Sequence, residues 1–299
     1  MRVLLSGASG MIGTAIGALL ESQGHEVLRL ARDPKRARPG DVRWQPGSPL
    51  NPAALAGFDV VVHLAGRPVA ALWTKQTKSE IRSSRVEGTA NLAQGVAQSF
   101  LANGKPRALV GSSAIGYYGS CGDERLTEEC EAGLGFLAEV CRDWEGAASA
   151  AAMAGVRVAQ MRTGLVLDAD GGALAKMLPL FRLGLAGKLG SGRQWWSWVS
   201  LEDTARAYAF AVEGESIHGA LNLAAPNAVT NAEFTRTLGR VLHRPTLLAV
   251  PAFGLRAVTG EMGEEMLLAS QRVIPQRLLE AGFEFTDVEL EPTLRKLLG

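Results

Sequence analysis

Arg2-Val3-Leu4-Leu5-Ser6-Gly7-Ala8-Ser9-Gly10-Met11-Ile12-Gly13 opens the chain, and its reading decides the fold. A short apolar run stops at Gly7, and apolar residues resume at Ile12, Ile16, Leu19 and Leu20 with helical spacing. That change of period marks a strand, a tight turn and a helix. Gly7 can take the backbone angles of the turn, Gly10 lets main chain approach a phosphate, and Gly13 lets the helix pack close on the strand. The amides that begin the helix then face an anion. The spacing is Gly-x-x-Gly-x-x-Gly, a weak signal alone. Context strengthens it: Gly24 ends the helix, a second strand runs from Glu26 to Ala31, and the whole has the length of a β-α-β crossover.

The residue past the second strand selects the dinucleotide. A carboxylate there suits ribose hydroxyls, whereas a guanidinium can clamp an added phosphate. Here it is Arg32, which favours NADP(H), although Asp33 follows and a one-residue shift of the strand end would exchange the two.

Working outward, Pro39 to Ala56 reads as connection, with a short strand at Val42 to Trp44 and a short helix around Ala53. Asp59-Val60-Val61-Val62-His63-Leu64-Ala65-Gly66 reads as a buried parallel strand whose small-residue end, Leu64 to Gly66, can lie flat beneath the cofactor. His63 is either a packed histidine or a base. An amphipathic helix is expected from Thr77 to Phe100 and a strand from Arg107 to Ser113. That strand leads into Ser112-Ser113-Ala114-Ile115-Gly116-Tyr117-Tyr118-Gly119, where hydroxyls and phenols gather at a carboxyl end that borders the ligand crevice. A helix from Leu134 to Ala154 and a strand from Val156 to Leu167 follow. Trp195, Trp196 and Trp198 form either a substrate wall or ordinary packing between lobes. Helices near Leu201 to Val212 and Asn231 to Leu242, a strand at Leu221 to Ala224 and a short helical tail complete the chain. The expected fold class is α/β, a doubly wound parallel sheet over residues 1–168, to which later segments can return, with a smaller α+β lobe over residues 169–299.

Composition limits partners and compartment. The 299 residues carry 31 basic and 30 acidic side chains, a formal charge of +1, so neither nucleic acid nor an anionic membrane is an expected partner. Cys121, Cys130 and Cys141 are an odd set without metal-ligand spacing, so no metal is expected and a reducing cytoplasm fits best. No apolar run reaches the ~20 residues of a membrane span.

GASGMIG, VVVHLAG, RVEGTANL and SSAIGYYG, in this order, resemble the extended short-chain dehydrogenase/reductase superfamily. FLAEVCRDWEGAA, RTGLVLDADGGAL, GSGRQWWSWVSLEDTA, NLAAPNAVTNAEF and SQRVIPQRLLEAGF resemble its atypical "epimerase family protein" branch, with a C-terminal domain of unknown function here spanning residues 248–298. The resemblance implies a Rossmann-type domain that binds NADP(H). Pyrophosphate contacts are then implied at Gly7, Ser9, Gly10, Met11, Ile12 and Gly13, with Arg32 at the adenosine phosphate. Leu64, Ala65 and Gly66 are placed beside the ribose, with Glu80, Arg85 and Val166 as further contacts. Members of the extended family often dimerise through the two helices that flank the serine strand, here Thr77 to Phe100 and Leu134 to Ala154, whose alanine-rich faces fit either a homodimer or burial inside one chain.

The superfamily's Tyr-x-x-x-Lys pair is missing, since Phe136 to Val140 stands in its place, and the usual Asn is Arg85. Expected chemistry is an oxidoreductase or epimerase-like reaction on a small hydroxyl or carbonyl substrate. Ser113 would orient the oxygen, Tyr117 or Tyr118 would act as the acid, and Arg85 would supply the lost positive charge. The alternative is an NADPH-binding sensor or scaffold without turnover.

Overall fold

Seven parallel strands organise the chain, and the first of them is the strand that opens it. A computed structural model gives the fold and describes every residue except Pro34 and Arg36. In chain order the strands are β1 (Arg2–Ser6), β2 (Glu26–Ala31), β3 (Val42–Arg43), β4 (Val60–His63), β5 (Ala108–Ala114), β6 (Arg125–Leu126), β7 (Arg157–Thr163), β8 (Leu165–Leu167), β9 (Trp195–Trp196), β10 (Trp198–Ser200), β11 (Gly219–Leu223), β12 (Val229–Thr230) and β13 (Arg272–Val273). The helices are α1 (Met11–Ser22), α2 (Lys75–Asn103), α3 (Phe136–Gly146), α4 (Ser149–Met153), α5 (Gly172–Arg182), α6 (Leu201–Glu213), α7 (Asn231–Val241), α8 (Ala252–Gly263), α9 (Gln276–Glu280) and α10 (Leu290–Leu298).

The main sheet has the order β11-β7-β5-β4-β1-β2-β3. Strand order reverses between β1 and β4, the switch point where doubly wound sheets open a ligand crevice. Val3 and Leu5 face a core shared with α1 and α6, whereas Leu4 faces the opposite core under α2 and α4. The alternation of side chains along β1 therefore places helices on both faces of the sheet. Several helix starts are closed by side chains: Thr74 accepts from the Thr77 amide, Ser200 from Asp203 and Thr230 from Glu233. Such caps satisfy amides that the helix itself cannot.

One later segment rejoins the sheet. β11 returns to pair with β7, with Gly219 opposite Ala159, and α6 covers the same face as α1. The smaller lobe has its own core, in which Trp196, Trp198, Phe234, Leu174 and Leu294 pack together. Two of the three tryptophans are thus packing residues. Trp195 is half-buried, donates its indole N–H to Asp123 at 2.9 Å, and lies under the Arg272 guanidinium.

Candidate cofactor and active site

At the switch point the turns after β1 and β4 are welded together by Ser6. Its Oγ accepts the amides of Leu64 at 3.0 Å and Ala65 at 3.2 Å, and it lies 2.7 Å from His63 Nδ1, to which its hydroxyl donates. Gly7 sits in the left-handed region at φ +69°, and a β-carbon there would stand 3.0 Å from the Leu64 carbonyl carbon. Gly13 has no room either, since a β-carbon would land on the Gly7 carbonyl. Gly10, by contrast, has only ordinary van der Waals contact, with Gly7 O at 3.4 Å from the position of a β-carbon. Two of the three glycines are therefore required by the fold itself. Gly10 is exposed, carries no side-chain cap, and begins a helix with no acidic residue in its first turn. This cradle suits a diphosphate, because amides and the positive end of a helix begin here and, among the described residues, no protein anion caps them.

The remaining cofactor positions fall around it. Leu64, Ala65 and Gly66 continue β4 alongside Gly7. Ser9 is exposed beside Gly10. Met11 reaches the far side, where a β-carbon on Gly172 would meet its Cε at 3.1 Å and the Val166 carbonyl oxygen at 3.6 Å, so Val166 shares this corner. Arg32 immediately follows β2, is exposed, and makes no ion pair among the described residues. Asp33 takes the Lys35 amide at 2.9 Å, which turns a carboxylate oxygen into its own loop. Arg67 ion-pairs with Glu80.

Arg85 lies beneath Gly66, donating to the carbonyls of Arg67 at 2.9 Å and Ile81 at 3.3 Å with its face over Trp144. Among the described residues no carboxylate pairs with it. Burial lowers its pKa from the usual guanidinium value.

His63 is a packed histidine. Burial pushes its pKa down to about 4, so it is neutral, and its Nε2 has no partner among the described residues.

The three residues expected to carry proton chemistry part company. Ser113 is buried and donates to Glu145 Oε1 at 2.6 Å. Arg162 grips both oxygens of that carboxylate, at 2.8 and 2.9 Å, and donates to the Tyr118 hydroxyl at 2.9 Å. Tyr118 in turn donates to Asn222 Oδ1 at 2.7 Å. Burial drives the Tyr118 phenol up to about 12 against the opposing Arg162 charge. For Arg162 itself burial favours the neutral form, but the hydrogen bond and charge of Glu145 win and hold its pKa above the usual value. Ser113 and Tyr118 thus belong to an internal network. Tyr117 is half-buried, its ring centroid 3.5 Å from the Arg162 guanidinium carbon, and its hydroxyl has no hydrogen-bond partner among the described residues.

The helix positions facing the strand tip are also one residue away from those expected. A β-carbon on Gly116 would stand 3.3 Å from Leu137 Cβ and 3.9 Å from Cys141 Sγ, whereas Val140 is buried in the interior. Leu137 and Cys141 keep the i, i+4 spacing of the missing pair, yet a leucine carries no proton, and burial pushes the thiol up to about 12. Sequence reasoning missed Ser6, Glu145 and Arg162. Arg162, next to Met161 near the end of β7, is the available signal, because a buried guanidinium demands a partner.

A sheet of this order, a glycine cradle at its switch point and a small lobe over its carboxyl ends define a dinucleotide-binding α/β protein. The chain belongs to the NAD dependent epimerase/dehydratase family, whose model matches residues 3–224, and residues 250–297 match the Domain of unknown function (DUF1731). It is similar to Epimerase family protein Mb2239 of Mycobacterium bovis, with 44% identity over 285 residues that cover 95% of this chain and 93% of that one. The crystal structure of human epimerase family protein SDR39U1 (isoform 2) with NADPH superposes with a TM-score of 0.88 at 34% identity, over 99% of each chain. A nucleoside-diphosphate sugar epimerase from Corynebacterium glutamicum superposes at 0.83 with 37% identity; it covers all of this chain and 58% of that one.

Proposed function

We propose that this protein binds NADP(H) and acts as an oxidoreductase or epimerase-like enzyme on a small hydroxyl or carbonyl substrate, without the Tyr-Lys pair. The observation that carries the reading is the cradle at Gly7 to Gly13: its geometry excludes a β-carbon at Gly7 and Gly13, its helix start lacks a cap, and Arg32 stands just past the neighbouring strand. The NADPH in human SDR39U1 supports the choice of cofactor. When bound, the nicotinamide supplies or takes up a hydride. Of the chain's own groups, Tyr117 exchanges the proton at its hydroxyl, with Arg162 fixing the ring from below. Arg85, stacked over Trp144 beneath Gly66, supplies the positive charge that a lysine would have given. Ser113 orients through the Glu145 network. A reducing compartment fits the three free thiols, and among the described residues no helix is long and apolar enough to cross a membrane. Pairing through α2 and α3 into a homodimer stays part of the proposal.

The second reading, a sensor without turnover, is favoured by one observation: two of the three expected reacting hydroxyls are tied up inside the protein. Titration with NADPH and NADH, followed by NADPH absorbance with a panel of aldehydes, ketones and nucleotide sugars, separates the two. Consumption that falls about 100-fold or more in Tyr117→Phe selects the enzyme. Tight binding without consumption selects the sensor. If neither dinucleotide binds, or NADH binds more tightly, both readings fail; Arg32→Ala should weaken NADPH about tenfold or more and leave NADH nearly unchanged.

A further inference from the structure

Residues 252–268 touch the rest of the protein at few points. α8 buries only Gly263, and the wide helical turn Glu264–Leu268 that continues it buries nothing. α6, at 13 residues a helix of similar length, buries eight. A segment with so little buried surface opens at low free-energy cost. Its two ends are nonetheless fixed, and the fixed part begins at Leu267, whose carbonyl accepts from Gln194 Nε2 at 3.2 Å and Trp196 Nε1 at 3.4 Å. Val250 bridges Leu189 before it, and after it the Ser270 amide donates to Ser120 Oγ at 3.1 Å while the Gln271 side chain donates to the carbonyls of Ile115 and Gly119.

Between those ends the segment crosses to the nucleotide-binding half through two carboxylates. Glu265 accepts the amides of Phe136 at 2.8 Å and Leu137 at 2.7 Å, closing the start of α3 that Gly135 leaves without a side-chain cap. Glu261 pairs with Lys78 Nζ at 2.7 Å. Since α2 and α3 follow β4 and β5, Lys78 and Phe136 lie on the rim formed by the carboxyl ends of the sheet, the same rim that carries Gly7 to Gly13 and Leu64 to Gly66. A break already exists in the segment: Gly260 sits at φ +59°, ψ −143° inside α8, with nothing within 4 Å of where a β-carbon would stand.

We propose that residues 252–268 are a lid over the crevice, hinged at Gly260 and latched by the Glu265 carboxylate on the amides of α3, and that its opening gates passage of the dinucleotide. What the lid gates rests on the NADP(H) reading above; the lid itself rests on these contacts. The latch holds because a carboxylate meets both the unsatisfied amides and the positive end of α3. A neutral amide at residue 265 keeps the shape and loses the charge.

Hydrogen–deuterium exchange of the full chain, compared among wild type, Glu265→Gln and Lys78→Gln, tests the latch. Stopped-flow release of NADPH tests the gate. The expected result is exchange at least about tenfold faster across 252–268 in Glu265→Gln, with the rest of the chain unchanged, a smaller increase in Lys78→Gln, and NADPH release several-fold faster in both. Unchanged exchange across 252–268 in both variants overturns the latch. Should Glu265→Gln exchange faster everywhere, Lys78→Gln decides, and no increase there overturns it too. Faster exchange with unaltered NADPH release overturns the gate. A wild-type protein that does not bind NADPH overturns the functional reading, and the exchange result still decides whether the lid exists.

Discussion

One methyl group added to the glycine turn separates what the fold requires from what the ligand requires. At Gly13 a β-carbon would collide with the Gly7 carbonyl and stand 2.9 Å from Ala8 Cα, all of it main chain that cannot rotate aside. Overpacking of this kind costs roughly 1–3 kcal/mol, and more when backbone must move. At Gly10 the backbone is at φ −81° and the nearest atom is 3.4 Å away, so alanine fits. The remaining cost there is the N-cap preference of glycine over alanine, about 1 kcal/mol or less. For a chain of this size each kcal/mol moves the melting temperature by about 2–4 °C. Gly13→Ala should therefore melt about 5–10 °C below wild type, and Gly10→Ala within about 3 °C of it. The order reverses for the ligand, because the new methyl of Gly10→Ala stands where a pyrophosphate would approach. Its NADPH dissociation constant should rise at least about tenfold, roughly 1.4 kcal/mol. Calorimetric melting and NADPH fluorescence titration of the two variants measure both quantities. A Gly10→Ala protein that binds NADPH like wild type would refute the cradle, and a Gly13→Ala protein of unchanged melting temperature would refute the packing argument.

Two further outcomes follow from buried charge. Because His63 is held neutral at a folded pKa of about 4, below its ordinary 6.5, the unfolded chain binds the extra proton between those values. Its contribution is complete above about pH 6.5 and is lost as pH falls toward 4, amounting to roughly 3 kcal/mol over that window. Urea unfolding at pH 7 and pH 4.5 should show a smaller loss in His63→Asn than in wild type; equal losses would count against the assignment. Glu145→Gln leaves the Arg162 guanidinium, whose side chain is 5% exposed, without its carboxylate. That should cost about 3–5 kcal/mol and lower the melting temperature by about 10 °C, and a shift under 2 °C would show that the network is not what holds β5 to α3.

How much of this was legible in the sequence depended on whether the deciding contact was local. β2 runs from Glu26 to Ala31 as expected because its period and its bounding turns lie within one short stretch. The helix expected from Leu134 to Ala154 breaks into α3 and α4 around Ala147 and Ala148, residues whose helical preference gave no hint of a stop. Gly7 and Gly13 were readable as a turn, but that Gly10 alone is free of steric demand needed the positions of Leu64 and Ala8. The return of β11 to the sheet edge, and Glu265 as the cap of a helix 129 residues away, are set by tertiary packing and leave no periodic trace. By sequence the missing pair falls at Phe136 and Val140, and the structure puts Leu137 and Cys141 against the turn after β5, because a helix's rotation about its axis is fixed by what it packs on.

Charge accounting then links the site to its chemistry. Two guanidiniums lie on the α2 and α3 side of the sheet near its carboxyl ends. Arg162 is fully compensated: Glu145 takes its charge, Tyr118 and Ser113 complete the hydrogen bonds, and nothing in that cluster is left to exchange a proton with a ligand. Arg85 has only two carbonyls and an indole face, and burial already works against its charge. A half-buried cation of that kind gains more than a solvated one from an arriving anion, since its desolvation has been met in folding while its countercharge has not. On the proposed reading the countercharge comes from the ligand. Arg85→Met should then leave the melting temperature within a few degrees of wild type, or raise it, while weakening NADPH about tenfold or more. A large loss of stability with unaltered NADPH affinity would instead mark Arg85 as a structural cation, with no part in holding the ligand.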